Sequence, residues 1–164
     1  MEDFGSVPLQ RLLERHAEAV EATHADHGDA TAQIRRDAVV DVMRFLRDDA
    51  ECRFEMLADL CAVDLLTLGE EPRFEVVYHL YSLDKNHRLR IKARVPEDDC
   101  EIDTLVEVWP TANWLEREVW DLYGIRFRGH PDPRRLLLYE EFEGHPLRKD
   151  YVKEHRQPLL GPRN

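Results

Sequence analysis

Glycine, cysteine, long apolar runs and an excess of basic charge are all missing or scarce in these 164 residues. Seven scattered glycines leave little material for the glycine-rich turn that cradles a flavin or nicotinamide nucleotide, and no such fingerprint occurs. Cys52, Cys61 and Cys100 show no Cys-x-x-Cys spacing and are too few to ligate an iron–sulfur cluster by themselves. Their odd number and apolar or mixed surroundings predict reduced, ordinary thiols. No apolar stretch approaches the roughly 20 residues of a membrane helix. A net charge of −11 argues against nucleic acid as the main partner, because phosphate binding needs a dominant basic field. The opening "MEDFGSVP" has neither the basic-apolar design of a signal peptide nor the Arg/Ser-rich design of a transit peptide. The expectation is a chain that stays where it is made.

What is present suits one α+β domain, with 43% hydrophobic and 35% charged residues. Charge is uneven. Residues 134–164 hold seven Lys/Arg against five acids, a balance of +2 that leaves −13 for residues 1–133. "PLQRLLERHAEAV" predicts a helix with Leu9, Leu12, Leu13, His16 and Val20 on one face and Pro8 in its first turn. "ATHADHGDATAQI" reads as two short stretches around a turn, and "DAVVDVMRFLRDD" as a second helix facing inward through Val39, Val42, Met43 and Leu46. "FEMLADLCAVDLL" is ambiguous between strand and helix, its Leu, Cys and Val content slightly favouring a strand followed by a turn. "RFEVVYHLYSL" and "HRLRIKARV" form an antiparallel hairpin around "DKN", the first strand lying inside the sheet. On the second strand, Arg88, Arg90, Lys92 and Arg94 share one face. That row could meet an anionic partner, but a solvated face that discourages edge pairing is the simpler reading.

The stretch "WLEREVWDLYGI" places four charges among seven apolar residues. Asn113 and Glu116 have the spacing of a capping box, and Gly124 stands where a helix would end left-handed, with Ile125 folding back. This predicts a short helix over 114–122 with an apolar stripe of Leu115, Val119 and Leu122. Glu118 lies beside that stripe and would need a cation from Arg126, Arg128, Arg134 or Arg135. Arg117 and Asp121, four apart, are placed to pair. Trp114 and Trp120 point away and need a second covering surface. Beyond Tyr139 no helical or strand period survives, yet Phe142, Leu147, Tyr151, Val152, Leu159 and Leu160 continue. Such a segment cannot make its own core and suits an arm laid over another chain. The predicted division is an α+β domain over 1–139, carrying the helix 114–122, and an extended irregular arm over 140–164.

"ANWLEREVWDLYGIRFRGHPDPRRLLLYEEFEGHPLRKDY" closely resembles the signature region of the C-type, or 30 kDa, subunit family of respiratory complex I, the proton-translocating NADH:quinone oxidoreductase. The resemblance spans roughly residues 34–152. Acid-Arg-acid falls on Glu116, Arg117 and Glu118, and the following Asp and Gly-Ile on Asp121, Gly124 and Ile125. Gly-His-Pro, Arg-Arg and Pro-Leu-Arg-Lys-Asp-Tyr fall on Gly129 to Pro131, Arg134 and Arg135, and Pro146 to Tyr151. Pro133 and Tyr139 stand where Leu and Pro are commoner. The resemblance implies an α+β fold with a mixed or antiparallel sheet, helices on one face and an extended C-terminal arm. It also implies a non-catalytic subunit of the peripheral arm that scaffolds the D-type, or 49 kDa, subunit. FMN and iron–sulfur clusters would lie in partner subunits, with no cofactor or metal bound by this chain. Membrane association would be indirect, on the cytoplasmic side of a bacterial inner membrane. The residues expected to serve structure and interface are Glu116, Arg117, Glu118, Asp121, Arg126, Arg134, Arg135, Arg148, Lys149, Asp150 and Tyr151. The first four would form an ion-pair knot with the downstream arginines.

Rival readings fare less well. A hydrolase using Glu118 and Asp121 as acid and base lacks an accompanying nucleophile, metal cluster or substrate loop. A metal drawn to His24 and His27, or to His130 and His145, lacks the three or four convergent ligands of a good site. The second pair lies in twin Gly-His-Pro turns, where a ring more often satisfies backbone groups. The equivalent subunit of a membrane-bound hydrogenase, or of another quinone-reducing dehydrogenase, shares the ancestral module, though "GHPLRKDY" tilts toward the quinone enzyme.

Overall fold

The computed structural model describes residues 6–154 and 157. Helix α1 spans Val7–His16, with Pro8 in its first turn and Leu9 and Leu12 buried. The helical face expected to run on to Val20 stops early. Ala17–Ala19 tighten into a 3-10 turn and Val20 opens strand β1, Val20–His24. β1 pairs antiparallel with β2, Thr31–Ile34, around the Asp26–Gly28 turn, where His27 and Gly28 both have positive φ. Helix α2, Val39–Asp48, buries Val39, Val42, Met43 and Leu46 as its spacing predicts. The ambiguous stretch is strand β3, Met56–Asp64. β4, Phe74–Ser82, and β5, His87–Val95, form the expected antiparallel hairpin.

The five strands lie in the order β1-β2-β5-β4-β3, so β4 is interior, as its apolar faces require. β5 is interior too, because β2 joins it in parallel with Ala32 opposite Ile91. The basic row therefore guards no edge, which corrects the simpler sequence reading. A partner strand some sixty positions upstream leaves no local trace in the pattern of β5. The row is occupied: Arg90 pairs with Asp29 at 2.8 Å, Lys92 and Arg94 with Glu75 at 3.1 and 2.9 Å, and Arg94 with Glu70 at 2.6 Å. Arg88 lies over the Tyr81 ring.

Alternation along the strands sends Leu57, Leu60, Val76, Tyr78, Leu80, Leu89, Ile91, Ala93 and Val95 to the inner face, into one core with α1 and α2. Helix α3, Ala112–Tyr123, packs along β3. It is flanked by a small parallel pair, β6, Glu101–Asp103, and β7, Arg126–Arg128. The architecture is α+β, a mixed sheet with helices on one face. After β7 the described residues form no further helix or strand. Arg156, Leu159, Leu160 and Arg163 lie outside the described residues.

Candidate docking site

α3 starts two residues earlier than its sequence suggests. Thr111 stands at the cap without a side-chain cap bond, so the expected box between Asn113 and Glu116 does not form. Glu116 is instead fully buried. Its Oε1 accepts the Leu105 backbone N–H at 2.7 Å, and its Oε2 accepts the Thr104 hydroxyl. The inward face runs through Ala112, Glu116 and Val119, rotated from the expected Leu115 and Leu122. Glu118, expected to be desolvated, is exposed and pairs with none of the downstream arginines among the described residues. The buried charge belongs to its neighbour two positions back.

Among the described residues no cation compensates Glu116. His130 Nε2 lies 4.0 Å from Oε2, but both ring nitrogens are engaged elsewhere: Nδ1 accepts the Asp132 N–H at 3.0 Å, and Nε2 donates to the Asn113 carbonyl at 3.0 Å. Desolvation pushes the Glu116 carboxyl up to about 7, against the two bonds that favour its charged form.

Asp121, equally buried, sits on the other side of α3. It does not pair with Arg117. Its Oδ2 accepts the successive backbone N–H groups of Leu136, Leu137 and Leu138 at 3.1, 2.8 and 2.9 Å, and its Oδ1 takes Arg135 at 2.7 Å. Burial would raise this carboxyl, but the three N–H groups and Arg135 outweigh burial and hold it below the usual range. Arg117 donates to the Arg134 and Arg135 carbonyls, both at 3.0 Å, and faces Asp132 at 3.5 Å. Of the expected knot, Asp121 alone pairs with a downstream arginine among the described residues, and Arg117 meets carbonyls and Asp132 instead. Four donors converge on Asp121 from 135–138, and Arg117 clasps the chain just before them.

The helix end is closed by the same segment. Gly124 takes φ +77, as its position predicts. The last carbonyls of α3, which have no partner within the helix, are met in sequence. His145 Nδ1 bonds the Asp121 carbonyl at 3.0 Å, the Leu147 N–H bonds that of Leu122 at 3.1 Å, and Arg148 Nε bonds that of Tyr123 at 2.6 Å. The Gly-His-Pro rings do satisfy backbone groups, as expected. Arg148 also stacks over Phe74. The Lys149 N–H then reaches Asp64 at 2.8 Å, Asp150 bonds Arg73 at 2.7 Å, and Tyr151 stacks on Phe142.

Asp64 and Arg73 were not singled out in the sequence. They face each other at the mouth of the β3–β4 hairpin, nearly inaccessible, with contacts of 2.8 and 3.0 Å, and Glu97 joins Arg73 at 2.6 Å. Burial would raise the Asp64 carboxyl, but Arg73 and the N–H groups of Lys149 and Leu66 bring it down to about 2. The available signal was two opposite charges bracketing the loop 65–72 between β3 and β4. Of the remaining expected residues, Arg126 points to solvent from β7, and Arg134 is exposed and pairs with Asp132.

The helix is covered on both sides, as two apolar faces require, but not over Trp114. That ring is 62% exposed, although Arg117 lies over it. Trp120 is half-buried beneath Arg135. Leu137, Leu147 and Val152 are also exposed, at 61%, 45% and 59%. Four large apolar side chains on α3 and the segment around it therefore face outward.

The chain matches the family model for the respiratory-chain NADH dehydrogenase 30 kDa subunit over residues 32–157. It is 47% identical over 152 residues to the C-type subunit of NADH-quinone oxidoreductase from Geobacter sulfurreducens, covering 93% of this chain and 88% of the relative. It is 48% identical over 142 residues to the protein of that name from Roseiflexus castenholzii, covering 87% and 80%. Among solved structures, a trypsin-resistant fragment of Nqo5 superposes with a TM-score of 0.69 at 34% identity, over 77% of this chain and 99% of the fragment. A chain of an archaeal membrane-bound sulfane sulfur reductase shares the fold, with a TM-score of 0.75 at 24% identity over 89% and 84%.

Proposed function

The chain belongs to the family of the 30 kDa subunit of respiratory-chain NADH dehydrogenase, and from that premise we propose that it is a non-catalytic docking subunit in the peripheral arm of an NADH:quinone oxidoreductase. In this reading the complex passes electrons from NADH through FMN and iron–sulfur clusters in partner subunits to quinone, coupled to proton translocation. This chain binds none of those groups. It holds the 49 kDa-type subunit against the arm through the exposed side of α3 and the segment wound over it. It is kept on the cytoplasmic side of a bacterial inner membrane by its partners.

One observation carries the reading: both buried carboxylates of α3 are committed to the chain's own donors, while Trp114, Leu137, Leu147 and Val152 face solvent. A general acid or base needs an oxygen within reach of a substrate, and Asp121 already accepts four bonds from residues 135–138. Large exposed apolar side chains near a fixed scaffold suit a surface that another protein covers. The likeness to the sulfane sulfur reductase chain extends the fold to related membrane-bound complexes, but at 24% identity it does not carry their chemistry.

The test is the double variant Trp114→Ala, Leu137→Ala. Native gel electrophoresis of mildly solubilised membranes should show less assembled complex, with the melting temperature of the isolated chain and the quinone reductase rate per assembled complex unchanged. Full assembly with loss of rate alone would overturn the docking role.

A further inference from the structure

The open face of the sheet carries a second constellation, remote from the bonds that fasten the C-terminal segment. β3 has an irregularity between Leu57 and Asp59, where Leu57 lies opposite Leu80 and Asp59 opposite His79, leaving Ala58 as the extra residue. Without that bulge, strict alternation from the inward Leu57 would send Asp59 into the core and Leu60 out. With it, Leu60 is buried and Asp59 faces outward beside Cys61, two residues on. The Asp59 carboxylate, the Cys61 thiol and the His79 ring each offer an atom lying within 4.8 Å of the other two.

We propose that Asp59, Cys61 and His79 form a zinc(II) site on the open face of the β3–β4 hairpin. One oxygen, one sulfur and one nitrogen are the donor types zinc takes in four-coordinate sites with a free position. The thiolate and imidazole select against magnesium and calcium, which prefer all-oxygen shells. Zinc bonds of about 2.0–2.3 Å put tetrahedral ligand atoms roughly 3.3–3.8 Å apart, so the three need close by no more than about 1.5 Å. Asp59 is exposed and Cys61 and His79 are half-buried, which leaves their rotamers free to do so. Little competes for the donor atoms. Asp59 Oδ1 takes the Leu60 N–H at 2.9 Å, and its other oxygen stays available. Neither the His79 ring nor the Cys61 thiol has a hydrogen-bond partner among the described residues. His79 also lines a cleft with Tyr81, Arg88 and Arg90, so its ring is reached from solvent on that side. On binding, the thiol proton passes to solvent as the zinc–sulfur bond forms.

The test uses the reduced, metal-free 164-residue chain, titrated with Co(II) and then Zn(II). One cobalt per chain should give a thiolate-to-cobalt charge-transfer band and the strong visible bands of a four-coordinate ion, both abolished by Zn(II). Cys61→Ser should remove the charge-transfer band. His79→Gln and Asp59→Asn should each weaken zinc at least about tenfold, the size that loss of even an outer-shell partner commonly reaches. Cys100→Ser should change neither. A charge-transfer band that survives Cys61→Ser, or zinc affinity unaltered by His79→Gln, would mean adventitious binding and overturn the site. If a variant fails to fold, the unsubstituted chain still decides, since weak six-coordinate bands without charge transfer refute the proposal.

Discussion

Replacing Glu116 by Gln tests the electrostatics of α3 most directly, because the amide keeps both hydrogen bonds and removes only the charge. The amide oxygen can accept the Leu105 N–H, and the amide nitrogen can donate to the Thr104 oxygen. A carboxyl whose pKa rises from 4.5 in the open chain to about 7 in the fold binds its proton more tightly in the native state. Its favourable contribution is therefore complete below pH 4.5 and is lost as pH rises through 7. At about 1.4 kcal/mol per tenfold change, the cost of the buried charge reaches about 3 kcal/mol above pH 7. The Gln variant escapes that cost. Urea unfolding followed by tryptophan fluorescence should show its advantage growing from about 1 kcal/mol at pH 5 to about 3 kcal/mol at pH 8. The competing idea is that His130, 4.0 Å away, neutralises the carboxylate. In that case the advantage would vanish or reverse at pH 8, and the reasoning from desolvation would be refuted.

Asp121→Ala leaves Arg135 and three N–H groups without their acceptor, and should destabilise the chain by about 3–5 kcal/mol. Trypsin cleavage at Arg134 and Arg135 should quicken in parallel. Glu118→Ala, by contrast, should change stability by no more than about 0.5 kcal/mol, since that side chain is exposed; a loss as large as that of Asp121 would sink the assignment of the two sites. Gly124→Ala meets both a left-handed backbone and a contact of 2.6 Å with the His145 ring, so urea unfolding should show a loss of more than about 1 kcal/mol. Asp64, held near 2, contributes stability that is complete above the ordinary carboxylate range and is lost as pH falls through its folded value. Arg73→Lys lacks the fork that serves three carboxylates at once, and should move the acid-unfolding midpoint to higher pH.

β5 and α2 were legible because their inward residues follow one period and one side meets water, and β4 because an apolar run on both faces reads as an interior strand; β3, whose alternation the bulge breaks, was only faintly legible. α3 was legible as a helix ending at Gly124, but its inward face was not. Glu116 has the spacing of a capping acid, and a periodicity argument sends carboxylates outward by default. It faces inward because donors arrive from Thr104 and Leu105, and Asp121 is buried because Leu136 to Leu138 come back to it. Apart from the Thr104 hydroxyl, those donors are backbone groups of irregular segments, which have no signature in residue type. The same limit hid Arg73 and Asp64, nine positions apart and joined only once the hairpin closes. Asp59 and Cys61 share a face by alternation, but that face is the solvent one only because of the bulge, and His79 joins them only through the register of β3 with β4.

The fastening of His145 to Tyr151 has a consequence for what this stretch can tolerate. Nearly every position meets a different fixed partner in turn, from the Asp121 carbonyl to the Phe142 ring. One inserted residue would carry all later groups about 3.8 Å out of step, beyond the reach of any hydrogen bond. Spacing, more than side-chain identity, is what the stretch has to preserve.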